Sequence, residues 1–219
     1  MWPVKRLHNV GGMGAAAFRR PDKPLYAVKP CTKSIEAELT LDCGPKIEIV
    51  TVDKSTECHV TPSDVAQRMV EYVAWDFYTH ESYVLEPSFG TGQILRELLK
   101  HDWAKVVGVE LNIQLASRVQ HTPDFSYVEK HQMDFLDYQP DIEFTCICMN
   151  PPFTPVVKHM QHAYDLLVEG GIMIALVPTS YNEAKLKGDF SFTELEVLPN
   201  DTFATAKVNT KIVEIIKNA

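Results

Sequence analysis

The run Phe144-Thr145-Cys146-Ile147-Cys148-Met149 passes directly into Asn150-Pro151-Pro152-Phe153. Its first six residues are uncharged and apolar, small or β-branched, the composition of a buried strand. Two prolines then remove the amide donors that a sheet or a helix interior needs, so the strand stops and the backbone stiffens. Asn150 is left at the carboxyl end of a strand with an aromatic ring three residues on. In open α/β sheets ligands bind beyond the carboxyl ends of strands, which makes this tetrapeptide a candidate site. By itself it reads equally as a Pro-Pro turn with an asparagine cap, and the segments before it bear on the choice.

From residue 83 those segments alternate strand and helix. Tyr83-Val84-Leu85 reads as a strand, with Ile94, Leu95, Leu98 and Leu99 striping the next helix; Lys105 to Val109 is a second strand and Ile113 to Val119 a shorter helix. A strand near Ser126-Tyr127-Val128 precedes the one ending at Met149. A helix striped by Val156, Met160, Ala163 and Leu167 follows, closed by Gly170-Gly171, and then a buried strand over 172–177. Leu195 to Leu198 and Thr210 to Ile216 read as a two-stranded ending. Ahead of the series, Thr61-Pro62-Ser63-Asp64 opens a helix, with Thr61 as N-cap, Pro62 at the first helical position and Asp64 closing an acidic capping box. Val65, Met69, Val73 and Phe77 give that helix one apolar stripe. The alternation predicts a mostly parallel sheet with helices on both faces.

The strand tips carry the chemistry. The first strand runs into Glu86-Pro87-Ser88-Phe89-Gly90-Thr91-Gly92, where Gly90 and Gly92 permit a sharp turn and close approach to a ligand beside a helix N-terminus. The third glycine of a dinucleotide fingerprint is absent, and a lone GxG is most often a plain strand–helix turn. The second strand ends at Glu110, 24 residues after Glu86, where a ribose diol is held in nucleotide-binding sheets. Asp134, followed by Phe135, marks a third acidic tip suited to an adenine amine with an aromatic contact beside it. Each acid alone reads as a solvated loop carboxylate. Three at successive strand ends, with Asn-Pro-Pro-Phe at the fourth, form a pattern.

In these motifs the chain resembles the class I S-adenosylmethionine-dependent methyltransferases, and within them the adenine-N6 DNA methyltransferases whose cofactor motifs come first. The resemblance covers about residues 58 to 217. Thr61 to Ala66 is similar to the helix-opening motif, Leu85 to Gly92 to the EPxxGTG-like cofactor loop, and Gly108-Val109-Glu110 to the ribose-binding strand end. Asp134-Phe135 matches the cofactor-adenine position, Asn150 to Phe153 the catalytic motif, and Leu198-Pro199 through Phe203 to Thr210 the terminal hairpin that helps enclose the target base. The resemblance implies a seven-stranded Rossmann-like sheet with an antiparallel terminal hairpin. It implies S-adenosylmethionine as cofactor, with S-adenosylhomocysteine as product, bound by Thr61, Glu86, Pro87, Phe89, Gly90, Gly92, Glu110, Asp134 and Phe135. Thr61 is expected near the methionine carboxylate and Glu86 near its ammonium. Asn150 and the Pro151 carbonyl would accept the hydrogens of the target amine, Pro152 would stiffen the turn, and Phe153 would stack on an extruded base. No metal enters this chemistry.

Composition bounds the remainder. The chain has 219 residues and a formal charge of −8. Residues 1–33 hold Lys5, Arg6, Arg19, Arg20, Lys23, Lys29 and Lys33 against Asp22 alone, a net of +6 that leaves −14 for the rest. Such an arm reads either as a phosphate-binding segment or as a solvated leader. Residues 34–57 alternate like a β-hairpin around Asp42-Cys43-Gly44-Pro45, and the methyltransferase-like domain is assigned to 58–219. Five dispersed cysteines point to reduced thiols and a cytoplasmic protein. Cys146 and Cys148 read as core, and Cys31, Cys43, Cys58 and His59 lack the close pairing of a zinc site. His159 and His162 read as surface or groove-lining. No apolar run approaches the ~18 residues of a membrane span. Ala219 lies nine residues past Thr210, so no target-recognition domain is expected after the hairpin, and a specificity subunit or a homodimer becomes a candidate partner. DNA is the expected substrate. RNA, on adenine or the guanine amine, is the second reading and a non-catalytic cofactor-binding subunit a third; a protein-glutamine methyltransferase usually carries Tyr where Phe153 stands.

Overall fold

The computed structural model describes residues 60–73, 81–203 and 208–218. The expected basic arm, the 34–57 hairpin and Phe77 lie outside them. Seven strands form one sheet in the order β3-β2-β1-β4-β5-β7-β6. They are β1 (Tyr83–Glu86), β2 (Lys105–Glu110), β3 (Val128–Gln132), β4 (Phe144–Met149), β5 (Leu167–Pro178), β6 (Phe190–Leu198) and β7 (Thr210–Lys217). β1 to β5 pair in parallel, while β7 runs antiparallel to both β5 and β6. The helices are α1 (Ser63–Glu71), α2 (Gln93–Leu98), α3 (Ile113–Gln120) and α4 (Val156–Asp165).

The period-2 alternation of the strands sorts the core into two layers. Val84, Val106, Cys146, Cys148, Ile172 and Ile174 face α1, α2 and α3 through Met69, Leu95 and Val119. Leu85, Val107, Ile147, Met149, Met173 and Ala175 face α4 through Met160 and Ala163, together with Phe135. Strands buried on both faces need nearly continuous apolar sequence, which is what Phe144 to Met149 supplies. Cys146 and Cys148 are free thiols on one face, their sulfurs 4.0 Å apart.

Several boundaries differ from the sequence reading. Thr61 does not cap α1: Pro62 occupies the cap position and its carbonyl accepts the amide of Ala66 at 2.9 Å, while Asp64 pairs with Arg68 at 3.0 Å. The third strand begins at Val128, because Pro123–Phe125 forms a 3-10 turn that sinks Phe125 into the core. Gly170-Gly171 does not close α4, which ends at Asp165. Leu167 already pairs with Phe144, and the glycines accommodate the register shift before Ile172 meets Cys146. Gly170 has φ 76°, and a Cβ on Gly171 would lie 2.8 Å from the Val168 carbonyl.

Strand order fixes where a ligand belongs. From β1 the chain moves outward through β2 and β3, then returns to place β4 on the other side of β1. Connections diverge at the carboxyl ends of β1 and β4, and a crevice opens at such a switch point. Glu86 ends β1, and Asn150 follows β4.

Candidate active site

A cleft of about 830 Å³, its open mouth included, lies at that switch point. It gathers Thr61, Glu86, Pro87, Phe89, Gly90, Glu110, Asp134, Phe135, Asn150, Pro151 and Pro152 from segments far apart in the chain. Gly92 and Phe153 are not among the residues that line it.

The floor is the loop after β1. The Phe89 amide donates to the Val109 carbonyl at 3.1 Å, and the Phe89 ring sits against Gly108, where a Cβ would approach it to 2.8 Å. Phe89 thus anchors the loop as well as bordering the cleft. Gly92 takes φ 80° as the cap of α2, and a Cβ there would come within 2.7 Å of the Phe125 ring. Positive φ and the absence of a side chain are both required at this turn.

Glu110 locks the loop to β2. One carboxylate oxygen accepts the Gly90 amide at 2.8 Å and the other accepts the Asn112 amide at 2.7 Å. The Leu111 backbone amide bonds to the same carboxylate. Burial raises the pKa of Glu110, and those backbone bonds pull it part of the way back. Glu86 is 2% exposed. Burial pushes its pKa well up, a backbone hydrogen bond from Leu95 opposes this, and the charge of Glu110 adds to the rise. Its Oε2 has no hydrogen-bond partner among the described residues. A buried carboxylate oxygen without a donor costs free energy, and Glu86 is one of the residues that line the cleft.

Asp134 caps the 3-10 turn Phe135–Asp137, its Oδ1 accepting the Leu136 amide at 2.9 Å. Phe135 is buried and held edge-on by His162, with ring centroids 4.7 Å apart. At the tip of β4, Asn150 Nδ2 donates to Thr61 Oγ1 at 3.0 Å. That bond gives Thr61 a role the sequence reading missed: it holds the amide so that Nδ2 is its donor end and Oδ1 its acceptor end. Phe153 meets the buried Phe203 ring at 6.2 Å and 75°. The connection between β6 and β7 therefore reaches back to the tetrapeptide at Phe203.

Sequence reasoning passed over Leu111 and Asn112, which line the cleft, while His159, read as surface or groove-lining, is a buried residue that lines it. Leu111 is 60% exposed, and a large apolar residue directly after a strand-tip acid was the available signal. Asn112 caps α3 by accepting the amides of Gln114 and Leu115. His159 lies one turn into a helix that starts at the cleft, a position from which the side chain can turn back toward it.

No protein-family model matches the chain, and no curated protein matches it in sequence. Solved structures do match in fold. A 23S rRNA methyltransferase, ErmE, aligns at 17% identity over 74% of this chain and 70% of its own, with a TM-score of 0.62. The methyltransferase subunit of a type I restriction-modification system from Streptococcus thermophilus aligns at 16% identity over 74% of this chain and 45% of its own, with a TM-score of 0.59. Magnesium protoporphyrin IX methyltransferase from Synechocystis PCC 6803, solved with bound SAM, aligns at 13% identity over 71% and 79%, with a TM-score of 0.55. The architecture is the class I methyltransferase fold. It recurs in 1093 matching chains, so the choice of substrate has to be argued from the site.

Proposed function

We propose that the chain is an S-adenosylmethionine-dependent methyltransferase acting on the exocyclic N6 amine of adenine in nucleic acid, with DNA as the first substrate. The observation that carries this reading is the charge of the cleft. Glu86, Glu110 and Asp134 line it, and no Lys or Arg stands among the described residues that do. A phosphate-bearing nucleotide would be repelled there. A nucleoside carrying a positive group fits, because Glu86 Oε2 lacks the donor that an ammonium would provide.

On this reading Glu86 holds the methionine ammonium and Glu110 the ribose hydroxyls, with Asp134 and Leu111 at the purine. Bound S-adenosylmethionine would supply an electrophilic methyl group on a sulfonium whose sulfur leaves as a neutral thioether, the amine's surplus proton passing to solvent. The residues of the chain prepare the acceptor. An adenine amine is a poor nucleophile because its lone pair is delocalised into the ring. Asn150 Oδ1 and the Pro151 carbonyl accept its two hydrogens and stabilise it as it pyramidalises, and the prolines keep both acceptors in place. Thr61 is a positioning residue acting through the Asn150 amide. Phe153, backed by Phe203, is the surface on which an extruded base stacks.

The basic arm of residues 1–33, read from its sequence alone, is proposed to contact the phosphate backbone and so offset the acidic body. Deleting residues 1–30 should raise the apparent KM for DNA several-fold and flatten its salt dependence while cofactor affinity holds. Equal KM and equal salt slope in folded full-length and truncated proteins would exclude that role. RNA is the second reading, favoured by the fold likeness to the 23S rRNA methyltransferase. Labelled methyl transfer onto DNA, RNA and protein in parallel separates the acceptors, and nucleoside analysis identifies the methylated atom.

A further inference from the structure

One group in the cleft has no part in the proposed transfer. His159 on α4 is 6% exposed and borders the cleft beside Asp134 and Phe135. Its Nδ1 lies 3.3 Å from the Pro155 carbonyl on the preceding turn. A carbonyl only accepts, so Nδ1 carries the proton. Burial lowers the pKa of the ring, the bond to Pro155 and the charge of Asp134 oppose this, and neighbouring His162 adds to the lowering. The imidazole is neutral near pH 7 and Nε2 bears a lone pair. Among the described residues the ring's hydrogen bond is the one to Pro155, so Nε2 has no protein donor.

The ring is also held in place. Phe135 lies against it at 5.9 Å between centroids and 37° between planes. Phe135 is in turn fixed by His162, whose Nε2 donates to the Tyr138 carbonyl at 2.9 Å. Nε2 is not among the side-chain atoms that are buried without a partner, and the open space that His159 borders is the cleft. Asp134 supplies a second acceptor in the same cleft, since only its Oδ1 is taken, by the Leu136 amide. Two acceptors lining one cleft match a group with two hydrogens to give. An exocyclic –NH2 is such a group, whereas a ring carbonyl would confront both lone pairs.

We infer that His159 Nε2 accepts one hydrogen of the nucleoside's exocyclic amine while Asp134 accepts the other, so that the cleft selects a 6-aminopurine over a 6-oxopurine. The inference rests on the S-adenosyl reading of the cleft given above, and it adds a specificity-determining residue on α4. A 6-oxopurine loses both bonds and leaves both acceptors facing its oxygen. Discrimination should therefore reach about 100-fold, the worth of two lost hydrogen bonds, one of them to a carboxylate.

The test is calorimetric titration of the full-length chain with S-adenosylhomocysteine and with its 6-oxo counterpart, S-inosylhomocysteine. The unmodified protein should strongly prefer the adenosyl ligand. His159→Phe, which keeps a planar ring against Phe135 but has no acceptor, should bind the adenosyl ligand about 5- to 10-fold more weakly, the worth of one neutral hydrogen bond. It should bind the inosyl ligand no worse. His159→Gln, which restores an acceptor oxygen, should recover much of the preference. Histidine 15N spectra of the unmodified protein give an answer that does not depend on a variant folding. The His159 Nε2 resonance should start at the position of an unprotonated nitrogen and move upfield with the adenosyl ligand. An unchanged adenosyl-to-inosyl ratio in folded His159→Phe, or an Nε2 resonance that does not respond, would overturn the inference and leave the cofactor reading intact. Failure of the unmodified protein to bind either ligand would overturn both.

Discussion

At the tips of β1, β2 and β3 the cleft presents carboxylates, and at the tip of β4 it presents an amide between Thr61 and two prolines. The first half is charged and incompletely satisfied. Glu110 is held by the backbone amides of Gly90, Leu111 and Asn112, whereas Glu86 keeps one oxygen without a donor. The second half is neutral and stiff, its amide tied by Nδ2 to Thr61 and its aromatic ring braced by Phe203. The difference is one of task. A half that captures a cationic nucleoside gains from charge kept short of partners until the ligand arrives. A half that aims an acceptor lone pair gains from rigidity. The two should therefore fail separately when mutated.

The largest effect belongs to the rigid half. Asn150→Ala should lower the single-turnover rate by about 10³, the scale for losing a preorganised hydrogen bond to the reacting group, with ligand affinity unchanged within about twofold. An equal loss of affinity would erase the division between the halves. Glu86→Gln should do the reverse, weakening S-adenosylhomocysteine on the order of 10-fold or more through a lost charge-assisted bond. The same substitution should stabilise the ligand-free protein. Burial raises the Glu86 pKa above that of the unfolded chain, about 4.3, so the native state binds more protons in that window and stability falls as pH rises through it. Glutamine has no such loss. Denaturation at several pH values should show the variant's advantage growing from acidic toward neutral pH, to about 1 kcal/mol or more; a constant difference would contradict the assignment. Gly92→Ala combines positive φ with a clash against Phe125 and should cost about 1–3 kcal/mol, read as a lowered denaturation midpoint. Thr61→Val, the mildest change, should reduce turnover by up to about tenfold by freeing the Asn150 amide and leave ligand affinity alone, which a kcat-against-Kd comparison would detect.

The sheet was legible because its strands are short apolar runs ended by Gly, Pro or an acid, and those punctuation marks coincide with the site. Tertiary pairing decided what the sequence could not. Leu167 fits the apolar spacing of α4, yet it belongs to β5, because the register of β4 with β5 outweighs helix periodicity. Thr61 has the local signature of an N-cap, yet its hydroxyl serves Asn150, 89 positions away in sequence, and no local rule anticipates that. Glu86, Glu110 and Asp134 were visible as strand-tip acids, but which of them keeps a lone pair without a partner depends on amides contributed by Gly90, Asn112 and Leu136. His159 was legible as a surface or groove-lining histidine, but its orientation depends on a carbonyl one turn back and an aromatic ring on another segment.

The most direct test of the central claim is transfer of a tritiated methyl group from S-adenosylmethionine to unmethylated DNA and to RNA, followed by enzymatic digestion and nucleoside chromatography. The account predicts that label appears as N6-methyldeoxyadenosine in DNA, or as N6-methyladenosine if RNA is the acceptor, and that Asn150→Ala abolishes it. Label on a ring carbon, label on protein alone, or no transfer from a preparation that binds the cofactor would contradict it.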